Sequence, residues 1–156
     1  MDITGPYCVK PRKNRYFLTF IDHFTKYVEA FPITDVSAET CARIYATQII
    51  ARHGSGYTLI TDHGRSFTSA FFQETCKILK VRKVRTSAYH TMSNGMVEGF
   101  HRVLHDSIAH YTQPVQTGMW FCHFLRLTEQ HHTVRLGTVL SIYYMVERWF
   151  YQTRET

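Results

Sequence analysis

The sequence predicts an α/β domain in which strands and helices alternate around a sheet. Segments rich in aromatic and β-branched residues, such as 16–22 and 27–33, are typical of strands. Segments with apolar residues spaced three and four apart, such as 38–52 and 68–79, indicate helices packed on one face. With 156 residues and 44% apolar content, the chain is large enough for one substantial core.

The first predicted strands lie in the N-terminal 33 residues. Residues 2–4 have the character of a strand end. Residues 16–22 and 27–33 are separated by a short connection, and we therefore expect them to form a hairpin. We expect Pro32 and the polar residues after it to end the second of these strands, because proline lacks the N–H that a sheet ladder needs.

Two helices are predicted on either side of a short buried strand. Ser37 is a suitable N-cap for a helix over 38–52, and Gly54 and Gly56 end it. The apolar stripe of this helix consists of Cys41, Ile44, Tyr45 and Ile49. The strand covers 57–61, and a second helix covers 68–79. The side chains expected to point inward from the second helix are Phe71, Phe72, Cys76 and Leu79.

The pattern after residue 80 predicts a strand, a loop and a long helix. The strand covers 81–85, the polar loop covers 87–93, and the helix runs from Ser93 or Asn94 to about residue 111. Its core face consists of Val97, Phe100, Leu104 and Ile108. We expect one core domain over 1–112 and a divergent helical extension over 113–156.

Composition constrains the partners. The formal net charge of +6 favours a polyanionic partner, although an ordinary basic protein has the same balance. The four widely spaced cysteines suit neither a zinc ribbon nor a secreted disulfide framework, so we expect reduced, mostly buried thiols. The scattered histidines do not suggest a structural zinc site. No segment is apolar enough to predict a membrane span, and the N-terminus does not resemble a signal peptide.

Three carboxylates occupy contexts that suit one site. Asp62 directly follows the predicted strand 57–61, and Asp2 lies on another predicted strand. Glu98 lies in the first turns of the long helix, with 35 residues between it and Asp62 (positions 63 to 97). Ligand sites in open α/β sheets favour the carboxyl ends of strands. We therefore interpret Asp2, Asp62 and Glu98 as a catalytic, metal-binding triad.

This chemistry suits phosphoryl transfer on nucleic acid. Carboxylates are hard oxygen ligands that suit Mg²⁺ or Mn²⁺. Two such ions about 3.5–4 Å apart can activate the attacking hydroxyl and stabilise the leaving oxygen. If Asp2 is shared, three carboxylates can hold both ions.

Each carboxylate also has an ordinary explanation when taken alone. Asp2 would be a solvated charge, and Asp62 a turn residue before Gly64. Glu98 would be a helix-face acid paired with Arg102 four residues later. The three contexts together favour the metal site over these separate explanations.

Basic and polar side chains near the triad are candidates for contacts with DNA. A helix places His101 and Arg102 on the same face as Glu98, where they can contact the phosphate backbone. The cluster around 80–85 is a generic phosphate patch, and the polar loop could contact a DNA end or only cap the helix. The candidates are Lys83, Arg85, Tyr89, His90, Asn94, His101 and Arg102. The alternative interpretation is that each of these side chains is an ordinary solvated surface residue with no contact to DNA.

Several strings resemble one known family. They are Asp2-x-x-Gly5-Pro6, Phe20-Ile21-Asp22-His23-Phe24-Thr25-Lys26-Tyr27-Val28-Glu29-Ala30, Thr61-Asp62-x-Gly64, Phe67-Thr68-Ser69 and Tyr89-His90-x-x-Ser93-Asn94-Gly95-x-Val97-Glu98. They resemble the integrase catalytic core of long-terminal-repeat retrotransposons of the Ty3/gypsy type. The resemblance runs from residue 1 to about residue 110 and is specific.

The resemblance implies a ribonuclease-H-like fold with a five-stranded mixed sheet flanked by helices. It also implies 3′-end processing and strand transfer of element cDNA into host DNA, with two Mg²⁺ or Mn²⁺ ions held by Asp2, Asp62 and Glu98. The expected partners are cDNA ends, target DNA and further copies of the chain, acting in the nucleus. Since the family usually adds flanking modules, we expect this chain to be part of a longer protein.

The chain also departs from the family pattern. Thr91 stands where the family usually has proline, and Gly99 stands where it usually has arginine. The usual Thr-Gly-x-x-Pro stretch is altered at 135–141. These departures suggest a drifting copy. They leave two alternatives open: a decayed or domesticated core that binds nucleic acid without chemistry, and a related nuclease that only hydrolyses.

Overall fold

The computed structural model describes three stretches of the chain, residues 1–7, 14–85 and 99–106. Glu98, Tyr89, His90 and Asn94 lie outside the described residues, as does the predicted extension over 113–156. The chain forms two compact units: residues 1–19 with 31–90, and residues 20–30 with 91–156. None of the helices in the described stretches is long and apolar enough to cross a membrane.

Three strands form a sheet in the order β1-β2-β3: β1 Asp2–Thr4, β2 Tyr16–Ile21 and β3 Val28–Ile33. β1 and β2 are antiparallel, with Asp2 opposite Thr19. The predicted hairpin of β2 and β3 is confirmed. The second strand ends where predicted, because β3 includes Pro32 and stops at Ile33, directly before the polar residues. β3 is the outer strand of this sheet, and an outer strand tolerates a residue without an N–H.

Two further strands, β4 Thr58–Thr61 and β5 Arg82–Arg85, are parallel. Their register places Leu59 opposite Lys83 and Thr61 opposite Arg85. The amino group of Met1 donates a hydrogen bond of 2.9 Å to the carbonyl oxygen of Ile60, which brings β1 beside β4. The described strands therefore combine antiparallel and parallel pairing, as a mixed sheet requires.

The helix predicted over 38–52 is confirmed, although its middle is wider than expected. It consists of α1 Ala38–Ile44, a π-helical segment Tyr45–Ile50 and a final turn α2 Ala51–His53. The Ser37 hydroxyl accepts a hydrogen bond of 3.2 Å from the Thr40 N–H, as an N-cap does. In the predicted stripe, the side chains of Cys41, Ile44 and Tyr45 are buried and Ile49 is half-buried.

The helix predicted over 68–79 corresponds to α4 Ala70–Ile78, and a short helix that was not predicted, α3 Arg65–Thr68, precedes it. Ser69 separates them because its backbone is extended (φ −63°, ψ 149°), and its hydroxyl caps α4 at the N–H of Phe72. Phe72 and Cys76 are buried as predicted, but Phe71 is 55% exposed and its inward assignment was wrong. Neighbours on a helix differ by about 100° in direction, so burying Phe72 turns Phe71 outward.

Each unit has its own buried side chains. In the first unit the largest are Phe17, Leu18, Phe67 and Phe72. In the second unit, helical residues 99–106 bury Phe100, Val103 and Leu104. Phe100 and Leu104 were expected on the core face, and that prediction is confirmed. Val97 and Ile108, the other members of that predicted face, lie outside the described residues.

Candidate metal centre

Asp62 is placed by the end of β4 and by the turn that follows. Thr61, the last residue of the strand, is 1% exposed, whereas Asp62 itself is exposed. The Asp62 Oδ1 accepts a hydrogen bond of 3.0 Å from the Gly64 N–H. The Gly64 carbonyl oxygen then accepts 3.0 Å hydrogen bonds from the N–H groups of Phe67 and Thr68, which starts α3. The carboxylate therefore lies on a short, internally hydrogen-bonded turn.

Two side chains that follow the turn, Ser66 and Phe67, connect it to other elements of the first unit. Phe67 is 1% exposed and meets Phe72 edge to face, with ring centroids 5.5 Å apart. The Ser66 hydroxyl donates a hydrogen bond to the Val36 carbonyl oxygen in the loop before α1. Ser66 was not among the predicted site residues, since no local sequence pattern links it to a partner 30 positions away.

Asp2 lies on β1, beside β4. Its main-chain carbonyl accepts a hydrogen bond of 3.0 Å from the hydroxyl of the buried Thr19, and its Oδ1 accepts one of 2.8 Å from the Ile3 N–H. Burial lowers the pKa of the Met1 amino group, while the negative charges of Asp2 and Asp62 raise it. The 2.9 Å hydrogen bond from the Met1 nitrogen to the Ile60 carbonyl oxygen brings these two predicted site residues close together, since Asp2 follows Met1 and Asp62 lies two residues after Ile60.

Lys83 interacts electrostatically with the Asp62 carboxylate. Its ammonium nitrogen is 5.9 Å from the centroid of the buried Phe72 ring. Burial and the nearby Arg85 lower the pKa of Lys83, whereas Cys76 and Asp62 raise it. Arg85 is exposed at the end of β5. The structure therefore places Lys83 and Arg85 on the strand next to the one that carries Asp62.

The buried thiol of Cys41, whose pKa is also raised by the charge of Asp62, is not suited to hold a metal. Cys41 is 0% exposed, and burial, followed by the charges of Asp35 and Asp62, raises its pKa to about 12. A thiol with such a pKa stays protonated at neutral pH, and metals bind the thiolate. Cys41 and Cys76 are both free and buried, which confirms the expectation for these two cysteines.

His101 and Arg102, the other candidate DNA contacts that the structure describes, belong to the second unit. Arg102 and His105 are exposed on the helical residues 99–106, and His101 is half-buried, with its ring centroid 6.1 Å from that of Phe100. The His105 Nδ1 lies 3.9 Å from the Asp106 Oδ1, an ion pair only when the histidine is protonated. These side chains therefore lie on the same short helical stretch.

The donor chemistry of the placed carboxylates suits a hard divalent cation. Asp2 is half-buried and Asp62 is exposed, and each uses its Oδ1 for a hydrogen bond with a neighbouring backbone N–H. Carboxylate oxygens are the ligands that Mg²⁺ and Mn²⁺ prefer. Across residues 1–7, 14–85 and 99–106, no group of three or more His, Cys, Asp or Glu side chains is assembled. Two of the three predicted ligands are placed, and Glu98 lies outside those stretches.

Solved structures with the same fold define the class. The catalytic core domain of BIV integrase matches with a TM-score of 0.58 at 26% identity, covering 97% of each chain. The HTLV-2 integrase catalytic core domain, solved in complex with magnesium, matches with a TM-score of 0.54 at 16% identity. That match covers 85% of this chain and 72% of the other. The fold is that of integrase catalytic cores, the ribonuclease-H-like fold that the resemblance implied.

Sequence comparison identifies the family. The pattern described as "Integrase core domain" matches residues 1–91, and the chain belongs to this family. The retrovirus-related Pol polyprotein from transposon 412 of Drosophila melanogaster is 32% identical over 127 residues, covering 80% of this chain and 10% of the polyprotein. The Pol polyprotein of Radiation murine leukemia virus (strain Kaplan) is 31% identical over 106 residues, which cover 68% of this chain and 18% of the polyprotein. The chain thus spans less than a fifth of either relative, and the resemblance to retrotransposon integrases is confirmed.

Proposed function

We propose that this chain is the catalytic core of an integrase that processes the 3′ ends of retroelement cDNA and joins them to host DNA. One observation carries the proposal: a 2.9 Å hydrogen bond from the Met1 nitrogen to the Ile60 carbonyl oxygen brings Asp2 close to Asp62, in a chain whose residues 1–91 match the integrase core domain. The magnesium in the HTLV-2 core supports a divalent-metal requirement.

Asp2, Asp62 and Glu98 would hold two Mg²⁺ or Mn²⁺ ions. When bound, such ions activate the attacking oxygen and stabilise the leaving oxygen of an in-line displacement. The turn at Gly64 orients the Asp62 carboxylate, and the pairing of β1 with β2 holds Asp2. Because phosphoryl transfer depends mainly on positioning and charge stabilisation, no covalent enzyme intermediate is required.

The nucleophile determines which of the two reactions occurs. Water attacking a phosphodiester gives end processing, and a DNA 3′-hydroxyl gives strand transfer. Lys83 and Arg85 supply cations for the DNA backbone near Asp62, and Arg102 supplies one from the second unit, where His101 offers a hydrogen-bonding ring. Tyr89, His90 and Asn94 are proposed contacts for the DNA end.

The proposed partners follow from this reaction. The chain would bind the cDNA ends and target DNA, and it would act as a homo-oligomer in the nucleus, because two ends must be joined at one place. We assign the catalytic core to residues 1–112 and a helical extension to 113–156.

A second candidate, a core that binds nucleic acid without catalysis, is favoured by Gly99. The family usually has arginine at this helical position. A Cβ added at Gly99 would meet nothing within 4 Å, so packing does not demand glycine there. The loss of a cation without a structural need for glycine is consistent with drift.

Strand joining on a branched oligonucleotide with Mn²⁺ tests the proposal. We expect activity in the unsubstituted chain and in Glu74→Gln, which removes an exposed carboxylate on α4. We expect none in Asp62→Asn or Glu98→Gln. If no folded variant joins strands but all bind DNA, the chain is a binding module. Hydrolysis without joined products would indicate a nuclease.

A further inference from the structure

The backbone at Gly64 does not require glycine. Gly64 has φ −53° and ψ 142°, a conformation that any L-residue adopts readily. Gly5 and Gly54 differ, because their φ values of +127° and +79° lie where side chains are strained. The conformational freedom of glycine therefore does not explain the residue at position 64.

Space beside the Asp62 carboxylate does explain it. A Cβ built on Gly64 would lie 3.0 Å from the Asp62 Oδ1 and 3.4 Å from its Oδ2. The next neighbour, the Cδ2 of Phe67, would be 3.5 Å away, which is an ordinary contact. The crowded atoms thus belong to the carboxylate itself, the group that the proposed function assigns to the metal.

We infer that Gly64 is a positioning residue for Asp62. Its N–H donates to the Oδ1, and its missing Cβ leaves both carboxylate oxygens in the orientation that this hydrogen bond selects. The inference rests on the proposed function, since orientation matters only if Asp62 binds the cation. Groups that orient a ligating carboxylate influence metal affinity strongly, by about 10- to 100-fold when they are altered.

A methyl group at position 64 would move the carboxylate and spare the fold. Asp62 is exposed, so its side chain can rotate away by a few tenths of an ångström without disturbing buried neighbours. The contact with Phe67 remains acceptable, and the backbone angles suit alanine. Replacing glycine by alanine also restricts the unfolded chain, which favours the folded state where the backbone fits.

The test is the thermal stabilisation of the chain by Mn²⁺, measured as melting temperature (Tm) against Mn²⁺ concentration. The variants are Gly64→Ala, Gly56→Ala, Asp62→Asn and the double variant Asp62→Asn/Gly64→Ala. Gly56 is the matched control, because a Cβ there meets nothing within 4 Å and its φ is not in the left-handed region. The Tm without metal reports the fold separately from the site.

We expect Gly64→Ala to keep or raise the Tm without metal and to need about tenfold more Mn²⁺ for half of the stabilisation. Gly56→Ala should titrate like the unsubstituted chain. In the Asp62→Asn background, Gly64→Ala should change nothing further, since the carboxylate is gone.

Three outcomes would overturn the inference. The first is an unsubstituted chain that responds to Mn²⁺ with a Gly64→Ala variant that titrates identically. The second is a Gly64→Ala variant that loses cooperative unfolding, which would make position 64 a folding requirement. The third is an unsubstituted chain that shows no response to Mn²⁺, which removes the proposed metal site along with the inference. The unsubstituted titration alone distinguishes this third outcome from the first two.

Discussion

Phe67 and Phe72 pack edge to face under the turn that carries Asp62, with ring centroids 5.5 Å apart and planes inclined at 68°. Both side chains are at most 1% exposed. Phe67 follows the turn directly, and Phe72 lies beneath the ammonium of Lys83. One aromatic pair therefore supports both the turn that carries the candidate ligand and the side chain of Lys83, a candidate phosphate contact.

Replacing Phe72 by alanine should destabilise the chain far more than replacing its neighbour Phe71. Truncating a buried phenylalanine costs about 3–5 kcal/mol, through lost burial and the cavity that remains. Phe71 is 55% exposed, and substitutions at such positions usually stay within about 0.5 kcal/mol. Urea unfolding of both variants measures the difference. Equal losses would contradict the burial that the structure assigns to these adjacent rings.

The contrast between these two phenylalanines shows how far local pattern could predict the fold. Periodicity placed both on the inner face, and the structure buries one of them. The extended backbone of Ser69 restarts the helix, and its cap on the Phe72 N–H sets the rotation of α4. Serine is a common cap and is also tolerated inside helices, so the break could not be predicted from residue type alone.

In the candidate site, too, local pattern predicted the position of a residue on its own element, but it could not predict contacts between elements that are distant in the sequence. The position of Asp62 at a strand end was predictable, because an apolar run stops directly before it. The proximity of Asp2 to Asp62 was expected from their contexts at strand ends, but no local pattern specifies it, since it depends on β1 meeting β4 across 59 positions. The support of Lys83 by the Phe72 ring also joins separate elements, and no sequence spacing encodes it.

Asp35 should stabilise the start of α1 in a pH-dependent way. Hydrogen bonds from Ser37, with weaker contributions from Thr40 and Thr34, lower its pKa from 3.8 to about 2. Because the folded-state pKa lies below the unfolded value, the stabilisation is complete above about pH 5 and is lost as pH falls through the folded pKa of about 2. Asp35→Asn should therefore lower the Tm at pH 7 and have a smaller effect at pH 2.5.

Glu39→Gln provides the control for this experiment. Glu39 lies in the first turn of the same helix, and its side chain accepts no hydrogen bond within residues 1–7, 14–85 and 99–106. Thermal unfolding of both variants across pH 2 to 7 separates a general charge effect from the Asp35 hydrogen bonds. A Tm deficit of Asp35→Asn that stays constant across this range would show that the carboxylate has no special partners.

Gly99→Ala should stabilise the chain. The sequence predicts that the helix begins at Ser93 or Asn94, which puts Gly99 inside it, and a Cβ there meets nothing within 4 Å. Alanine is favoured over glycine within a helix by roughly 0.5–1 kcal/mol. Gly54→Ala is the contrasting variant, because its φ of +79° makes alanine strained and stability should fall. Chemical denaturation of both variants checks the opposite signs.

Lys83 should contribute one phosphate contact to DNA binding, whereas Lys77 should not. Lys83 is half-buried on β5 with its ammonium over the Phe72 ring, and Lys77 is exposed on α4 with its ammonium 2.6 Å from the Glu74 carboxylate. Each phosphate contact adds about 0.9 to the slope of log affinity against log salt, so Lys83→Gln should reduce the slope by about 1. Lys83→Arg should retain the slope, because it keeps the cation.

Fluorescence anisotropy with one DNA duplex at four or five salt concentrations measures these slopes. Both glutamine variants lower the net charge by one, so a general electrostatic effect would weaken binding equally in Lys83→Gln and Lys77→Gln. A local contact would change the slope in the first variant and leave it in the second. Equal slopes in the two variants would remove Lys83 from the proposed DNA interface while leaving the metal site untouched.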